Sequence, residues 1–308
     1  MRRWFTGNSY FKPLAFIAAI LIYTLTACEK EVDLDLGDSA PAQLVVEGYI
    51  ETGTPPLVLL TKSVGYFDRL DLATLANSFV HGAVVTVSDG VNTATLKEYS
   101  IDTSGAGSLI SFYTVDTTSG SWMKGEVDKT YKLSISYDGK VYEAYTKIPN
   151  PTPLDSVVTA APAIIPDNNP TAKQIKVYFK DPDTLGNYVR YYTRRNSEPY
   201  YPGLNSVYSD ELINGTPFNT VFPLGESRNQ PEIDFDSTGF AHPGDTVTLK
   251  WCAIDKATYD FWSTFEFALG TIGSPFATPI KVKTNISNGA LGIWGGYGTS
   301  FHTIVIKE

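Results

Sequence analysis

The run Tyr131-Lys132-Leu133-Ser134-Ile135-Ser136-Tyr137-Asp138-Gly139 decides the fold class. Tyr131, Leu133, Ile135 and Tyr137 alternate with Lys132, Ser134 and Ser136, a period of two that puts one face of a strand in a core and the other in water. Asp138-Gly139 then leads into a second run at 141–146, and Asp-Gly between two such runs is the strongest short-range hairpin signal. Similar short runs precede it at 44–50, 57–63, 84–88, 93–99 and 109–115. About seven strands at this spacing predict an immunoglobulin-like antiparallel β-sandwich over residues 42–148, with its topology left open.

Downstream, Pro149-Asn150-Pro151-Thr152-Pro153 cannot continue a central strand, because proline lacks the ladder donor. Residues 149–154 are therefore expected to form a stiff extended linker between two domains. The remainder, 155–308, reads as a second β-rich domain with strands at 174–180, 188–195, 246–254 and 303–306 and long loops between them. Asp255 can cap one helix near 256–269, in which Tyr259, Trp262, Phe265 and Leu269 recur at helical spacing and which Gly270 stops. That aromatic stripe is expected to be core. Composition agrees with a chain of strands and turns: 19 Tyr, 16 Phe and 5 Trp against 2 Met, with 25 Gly and 19 Pro.

The N-terminus carries an address. Arg2, Arg3 and Lys12 precede a largely apolar run at 14–25 of roughly a dozen residues, shorter than the 20 or so that span a bilayer. Leu25-Thr26-Ala27-Cys28 follows and resembles the bacterial lipobox. The resemblance implies a signal peptide over 1–27, cleavage between Ala27 and Cys28, and acylation of Cys28; two or three acyl chains hold far more firmly than one. Glu29-Lys30-Glu31-Val32-Asp33-Leu34-Asp35-Leu36 then resembles the signal that moves lipoproteins of Bacteroidota to the cell surface, within a tether over 28–41. A plain solvated tether would have the same composition. Removal of 1–27 takes away three positive charges and no negative ones, so the formal net charge moves from -9 to -12. A chain so acidic repels phosphate backbones, and nucleic acid is excluded as a partner. With Cys28 acylated, Cys252 has no disulfide partner within the chain.

The lipobox with its acidic follow-on, the strand Leu44-Val45-Val46-Glu47-Gly48-Tyr49-Ile50, the segment Ile148-Pro149-Asn150-Pro151-Thr152-Pro153-Leu154-Asp155-Ser156-Val157, the helix Tyr259-Asp260-Phe261-Trp262 and the tail Asn285-Ile286-Ser287-Asn288-Gly289-Ala290-Leu291-Gly292-Ile293-Trp294-Gly295-Gly296-Tyr297-Gly298 together resemble a domain-of-unknown-function family of Bacteroidota outer-membrane lipoproteins. The resemblance covers essentially the whole mature chain. It implies a TonB-dependent outer-membrane receptor as partner and supplies no catalytic or binding residues. Asp-Ser or Asp-Thr at Asp38, Asp116, Asp155, Asp183, Asp236 and Asp245 resembles the O-glycosylation sequon of exported Bacteroidota proteins, and equally fits ordinary turn chemistry.

No catalytic residue, metal site or cofactor is expected. His81, His242 and His302 stand outside any Gly-x-Ser-x-Gly or His-Glu-x-x-His frame. Cys252, between Trp251 and Ala253, reads as a small buried hydrophobe. Asp181-Pro182-Asp183-Thr184-Leu185-Gly186-Asn187 begins like a calcium loop, but Tyr192 falls where the closing Glu belongs, and a turn is expected. In the glycine-rich tail, tight turns or close backbone approach are expected in preference to a phosphate cradle.

Tyr188, Tyr191, Tyr192, Tyr200, Tyr201 and Tyr208 interleave with Arg190, Arg194 and Arg195. Rings with polar rims beside guanidinium groups suit a ligand or partner surface, while alternate tyrosines on a strand suit a core. The candidate binding residues are Tyr200, Tyr201, Arg194, Trp294 and Tyr297. The function expected is that of a lipid-anchored, surface-exposed outer-membrane lipoprotein, a non-catalytic binding or accessory component of TonB-dependent nutrient uptake. The alternatives are a surface glycan or peptide hydrolase with a carboxylate pair, and an adhesin or structural module.

Overall fold

Thr130–Tyr137 (β6) and Lys140–Lys147 (β7) form the expected hairpin, with Asp138 at φ 50° and Gly139 at φ 69°, the left-handed pair that a two-residue type I′ turn requires. Tyr131, Leu133 and Ile135 are buried, and Lys132 and Ser134 between them are half-exposed. Burial of a side chain such as Leu133 or Ile135 stabilises the fold by about 1.5–3 kcal/mol. The computed structural model describes residues 42–308 except 66–70, 103–108, 117, 119–121, 228–237, 273, 275–277 and 279. Ala27, Cys28 and the acidic strip lie outside the described residues.

Five further strands precede the hairpin: Leu44–Glu51 (β1), Leu57–Lys62 (β2), Val84–Ser88 (β3), Thr93–Asp102 (β4) and Leu109–Val115 (β5), with a short helix, Leu72–Ser78 (α1), after β2. The helix begins at Asp71, whose carboxylate accepts the Thr74 N–H. Beyond the hairpin come Ser156–Ala160 (β8), Gln174–Lys180 (β9), Tyr188–Arg195 (β10), Tyr201–Ser209 (β11), Pro217–Phe222 (β12), Thr246–Ile254 (β13), the helix Lys256–Gly270 (α2) and Leu291–Val305 (β14). The protein is mainly β. One sheet of 11 strands has the order β11-β10-β13-β14-β1-β2-β5-β4-β3-β6-β7, and a second has the order β12-β9-β8.

The large sheet does not stay flat. Only two residue pairs join β2 to β5, and β7, at the far end, returns to pack against β14, with Ser287 N–H donating to the Glu143 carbonyl. The array from β14 to β7 thereby encloses a first core of Val46, Ile50, Leu60, Val85, Leu133 and their neighbours, into which β14 inserts Trp294. β1 pairs in parallel with β14, and β14 pairs antiparallel with β13. The halves on either side of 149–154 therefore share a sheet, and residues 42–308 form one compact unit.

The last strand is far longer than expected: β14 takes in the glycine-rich run itself and ends at Val305. Glycine serves here for close approach, since a Cβ on Gly298 would collide with the carbonyl oxygen of Pro149, where the proline-rich segment crosses the strand. Ile148 before the crossing belongs to the first core, and Leu154 after it packs on a second. That second core lies between one face of β10 and β13, carrying Val189, Tyr191, Leu249 and Trp251, and the small sheet with Ile175, Val177 and Phe222. On the opposite face, α2 covers a third cluster centred on Cys252, Ile254 and Tyr297. Asp255 caps this helix by accepting from Thr258 N–H. Its stripe differs from the expected one. Thr258, Phe261 and Glu266 are the buried positions and Leu269 is exposed, because the helix must place Glu266 against a buried arginine of β10.

Candidate functional site

The face of the sheet beneath α2 carries polar side chains where a core would carry aliphatic ones. Registers fix which residues share it: Tyr192 pairs with Lys250, Arg190 with Cys252, and Ile254 with Tyr297, which in turn pairs with Glu51 of β1. Alternation along β1 adds Tyr49 and Glu47 to the same face. These strands, Tyr200 and Pro202 at the start of β11, and Trp262 from α2 line a pocket of about 370 Å³ at the seam between the halves.

Arg190 is its most constrained member. Its guanidinium stacks on the Trp262 ring at 3.4 Å from the centroid and on Tyr192 at 4.8 Å. Behind it, Nε donates to Ser206 Oγ at 3.0 Å, and Ser206 donates its N–H and hydroxyl to the two oxygens of Glu266. Glu266 Oε1 stands 3.9 Å from the guanidinium, and both side chains are almost wholly buried. A buried charge costs several kcal/mol unless it is paired and hydrogen-bonded, and here both conditions are met. Lys250 repeats the device nearer the mouth: its Nζ donates to Glu51 at 2.6 Å and lies 5.2 Å from the Tyr192 ring and 5.9 Å from that of Tyr200. Burial holds the hydroxyls of Tyr49, Tyr192 and Tyr297 above the ordinary tyrosine pKa, so all three are neutral donors at pH 7. Tyr297 accepts a hydrogen bond from the Trp262 indole at 2.8 Å. Burial also pushes the Cys252 thiol up to about 12, which removes it as a nucleophile. The pocket is thus an aromatic box with two fixed cations, each held by its own carboxylate.

The family model described as Domain of unknown function (DUF4249) matches residues 29–301, a span that takes in every residue lining the pocket. The chain belongs to the DUF4249 family. No curated protein matches it.

In this DUF4249 chain, Tyr200 and Tyr297 line the pocket, and Arg194 stacks on Tyr200 at 4.8 Å. Tyr201 pairs with Thr193 in the ladder and is not among the lining residues. Trp294 lies in the first core, wholly buried, with its indole donating to the Tyr131 carbonyl. The two readings of β10 hold for alternate residues: Tyr191 fills the second core and Tyr192, one position on, faces the pocket. Sequence reasoning assigned Trp262 to the core and did not single out Glu51 and Lys250, yet all three line the pocket. Lys250 and Glu51 are 199 positions apart, and only the registers of β1, β14 and β13 bring them together.

The histidines hold structural bonds. His81 Nδ1 lies 2.6 Å from Glu98 and 3.2 Å from Ser111 Oγ, and Glu98 also accepts from Gly82 N–H and the Tyr113 hydroxyl. A nucleophile triad engages both ring nitrogens, whereas here serine and acid meet the same one. His242 lies 3.0 Å from Asn169. The segment 181–187 is a turn closed on another loop: Asp210 accepts from the N–H groups of Gly186 and Asn187, and Asp181 from that of Gly215. Among the described residues no three His, Cys, Asp or Glu side chains are grouped to hold a metal ion.

Proposed function

We propose that this DUF4249 protein is a lipid-anchored, surface-exposed lipoprotein of the outer membrane that binds a small ligand without transforming it, as an accessory of TonB-dependent nutrient uptake. The aromatic pocket carries the reading: its cations are prepaid by Glu266 and Glu51, so they orient hydrogen bonds to a ligand sandwiched by rings. The lipobox at Cys28 supports the anchor, and the family match begins directly after it. Binding is favoured over glycoside hydrolysis by the engagement of the acids at the pocket. Glu51 is tied to Lys250, and Glu266 behind the pocket to Ser206 and Arg190, whereas hydrolysis needs a free carboxyl pair facing the substrate.

The decisive experiment is purification of the native protein from outer membrane in mild detergent. Co-recovery of a β-barrel receptor, lost in Cys28→Ser, is the expected result. Recovery of the lipoprotein alone, or growth of a Lys250→Ala/Trp262→Ala strain indistinguishable from wild type on every nutrient that the deletion strain uses poorly, overturns the reading.

We also infer two domains, 42–148 and 155–308, that share a sheet within the one compact unit, with the first an immunoglobulin-like sandwich. The order β1-β2-β5-β4 followed by β3-β6-β7 supports this, since it is the strand order of the A-B-E-D and C-F-G sheets of that fold, joined here through β3 and β4. Tyr131, near the start of the sixth strand, turns its hydroxyl back to the chain, accepting from Glu126 N–H and donating to the Lys124 carbonyl, as a tyrosine corner does.

A further inference from the structure

At one end of the second core the two sheets part, leaving a cavity of about 300 Å³ on the opposite face of β10 and β13 from the pocket under α2. Its walls are Phe179, Tyr208, Phe218, Phe222 and Trp251. They form a connected aromatic cage: Phe179 meets Phe218 at 5.8 Å and Trp251 at 5.5 Å, and Phe222 meets Tyr208 at 5.2 Å and Trp251 at 5.9 Å between centroids.

A cage of this kind filled only by hydrocarbon would have an apolar rim. Instead Asp181 and Asp210, 4% and 2% exposed, line it. Asp210 has three donors, from Gly186 N–H, Asn187 N–H and the Asn187 amide. Asp181 has only the Gly215 N–H, at 3.2 Å. Among the described residues no Lys, Arg or His lies within 4 Å of either carboxylate, since Lys180 pairs with Asp183 instead. The contrast with the other buried charges is sharp: Arg190 has Glu266 and Lys250 has Glu51, whereas this acidic pair has no counter-ion among the described residues. Burial, reinforced by the charge of Asp210, raises the Asp181 pKa, which is the mark of a carboxylate lacking a cation. A second polar group at the cavity is also unsatisfied. Trp251, 1% exposed, has no hydrogen-bond partner for its indole Nε1.

We propose that this cavity binds a small organic cation with an apolar body, of the arylalkylammonium class, whose ring lies among the aromatic side chains and whose ammonium neutralises Asp181 and Asp210. Aromatic faces attract an ammonium through their quadrupoles, and a desolvated carboxylate multiplies that attraction. A metal ion is disfavoured because, among the described residues, no three His, Cys, Asp or Glu side chains are grouped to hold one here. The Trp251 N–H would accommodate an oxygen on the ligand's body. This inference is independent of the ligand reading for the pocket under α2.

Calorimetric titration of the full mature chain tests it with three probes of one shape: phenethylammonium, 2-phenylethanol and 3-phenylpropanoate. Saturable binding of the ammonium at least tenfold tighter than the alcohol, with the carboxylate weakest, is expected. Asp181→Asn should weaken the ammonium tenfold or more and leave the alcohol unchanged, while Tyr192→Ala in the other pocket should change neither. Should Asp181→Asn fail to fold, Phe218→Ala, on an edge strand and 37% exposed, removes one wall of the cage and should weaken the ammonium severalfold. Equal affinity for ammonium and alcohol would mean a merely apolar cavity. That result, the absence of saturable binding, or indifference to both substitutions overturns the proposal.

Discussion

The two larger cores bury polarity in opposite ways. The first is mostly aliphatic, and its buried polar residues, Ser78, Ser111 and Thr146, are neutral. In the second half Asp181, Arg190, Asp210 and Glu266 are buried, and aromatic rings make up a larger share of the core. Glu51, from the first strand, sits at the seam between them. A neutral core can be stabilised by packing alone, whereas buried charges must be arranged pair by pair. The aromatic cage lies on the charged side, and the pocket under α2 lies at the seam with both of its cations drawn from the second half. The difference teaches that this chain holds its shape chiefly with one half and offers its chemistry with the other.

The comparison can be broken most forcefully at Glu266. Glu266→Ala strands the Arg190 guanidinium and should cost about 3–5 kcal/mol in urea denaturation, while Arg190→Met/Glu266→Leu should recover most of that and still lose ligand binding. If the single substitution costs less than 1 kcal/mol, the second half does not depend on its charge pairs. In the neutral half, Leu133→Ala should cost about 2–4 kcal/mol through lost burial and cavity formation, with no change in the pH dependence of stability. Gly298→Ala tests the crossing of the two halves. Its Cβ meets the Pro149 carbonyl, and a loss of roughly 2–3 kcal/mol is expected by thermal melting.

The smallest effect concerns Asp181. Its pKa in the folded state is raised above the ordinary 3.8, so folding takes up protons there and stability declines as pH rises from 3.8 through the raised value. Asp181→Asn should remove that decline and leave the protein slightly more stable at pH 7 than wild type. Denaturation at pH 4 and pH 7 compares the two directly, and an identical pH slope in the variant would show that the carboxylate is well solvated.

Legibility in the sequence follows local pattern in both halves. The strands 84–88, 109–115, 174–180, 188–195 and 246–254 begin and end where the residues indicate. β8, β11 and β12 were not anticipated. Tyr201–Ser209 contains Pro202, Gly203 and Asn205, residues that discourage a strand unless a neighbouring ladder imposes it, and β12 is an exposed edge with no alternation. Helix α1 escaped because Leu72 and Leu75 are exposed and give it no buried stripe. β14 was cut short because its glycines read as loop, when they admit a crossing backbone. At the pocket, Tyr200 and Tyr297 could be found because rings crowded near arginines carry a local signal. Trp294 misled for the opposite reason: its glycine neighbours suggested an open loop, but the indole packs over Gly48 in the first core. The Lys250–Glu51 pair has no local signal, being a product of register alone.

The parallel pairing of β1 with β14 has a bearing on how the chain must be made. Thr52 donates to the Tyr297 carbonyl across 245 positions, and β14 alone bridges β1 to β13. A polypeptide made from its N-terminus therefore presents β1 with an open edge until β14 has emerged. Ladders closed over such separations form slowly, and an unpaired edge invites adventitious strands. The period just after release is then when this protein most needs shielding, and a chain cut short before residue 291 would be left with both β1 and β13 unzipped.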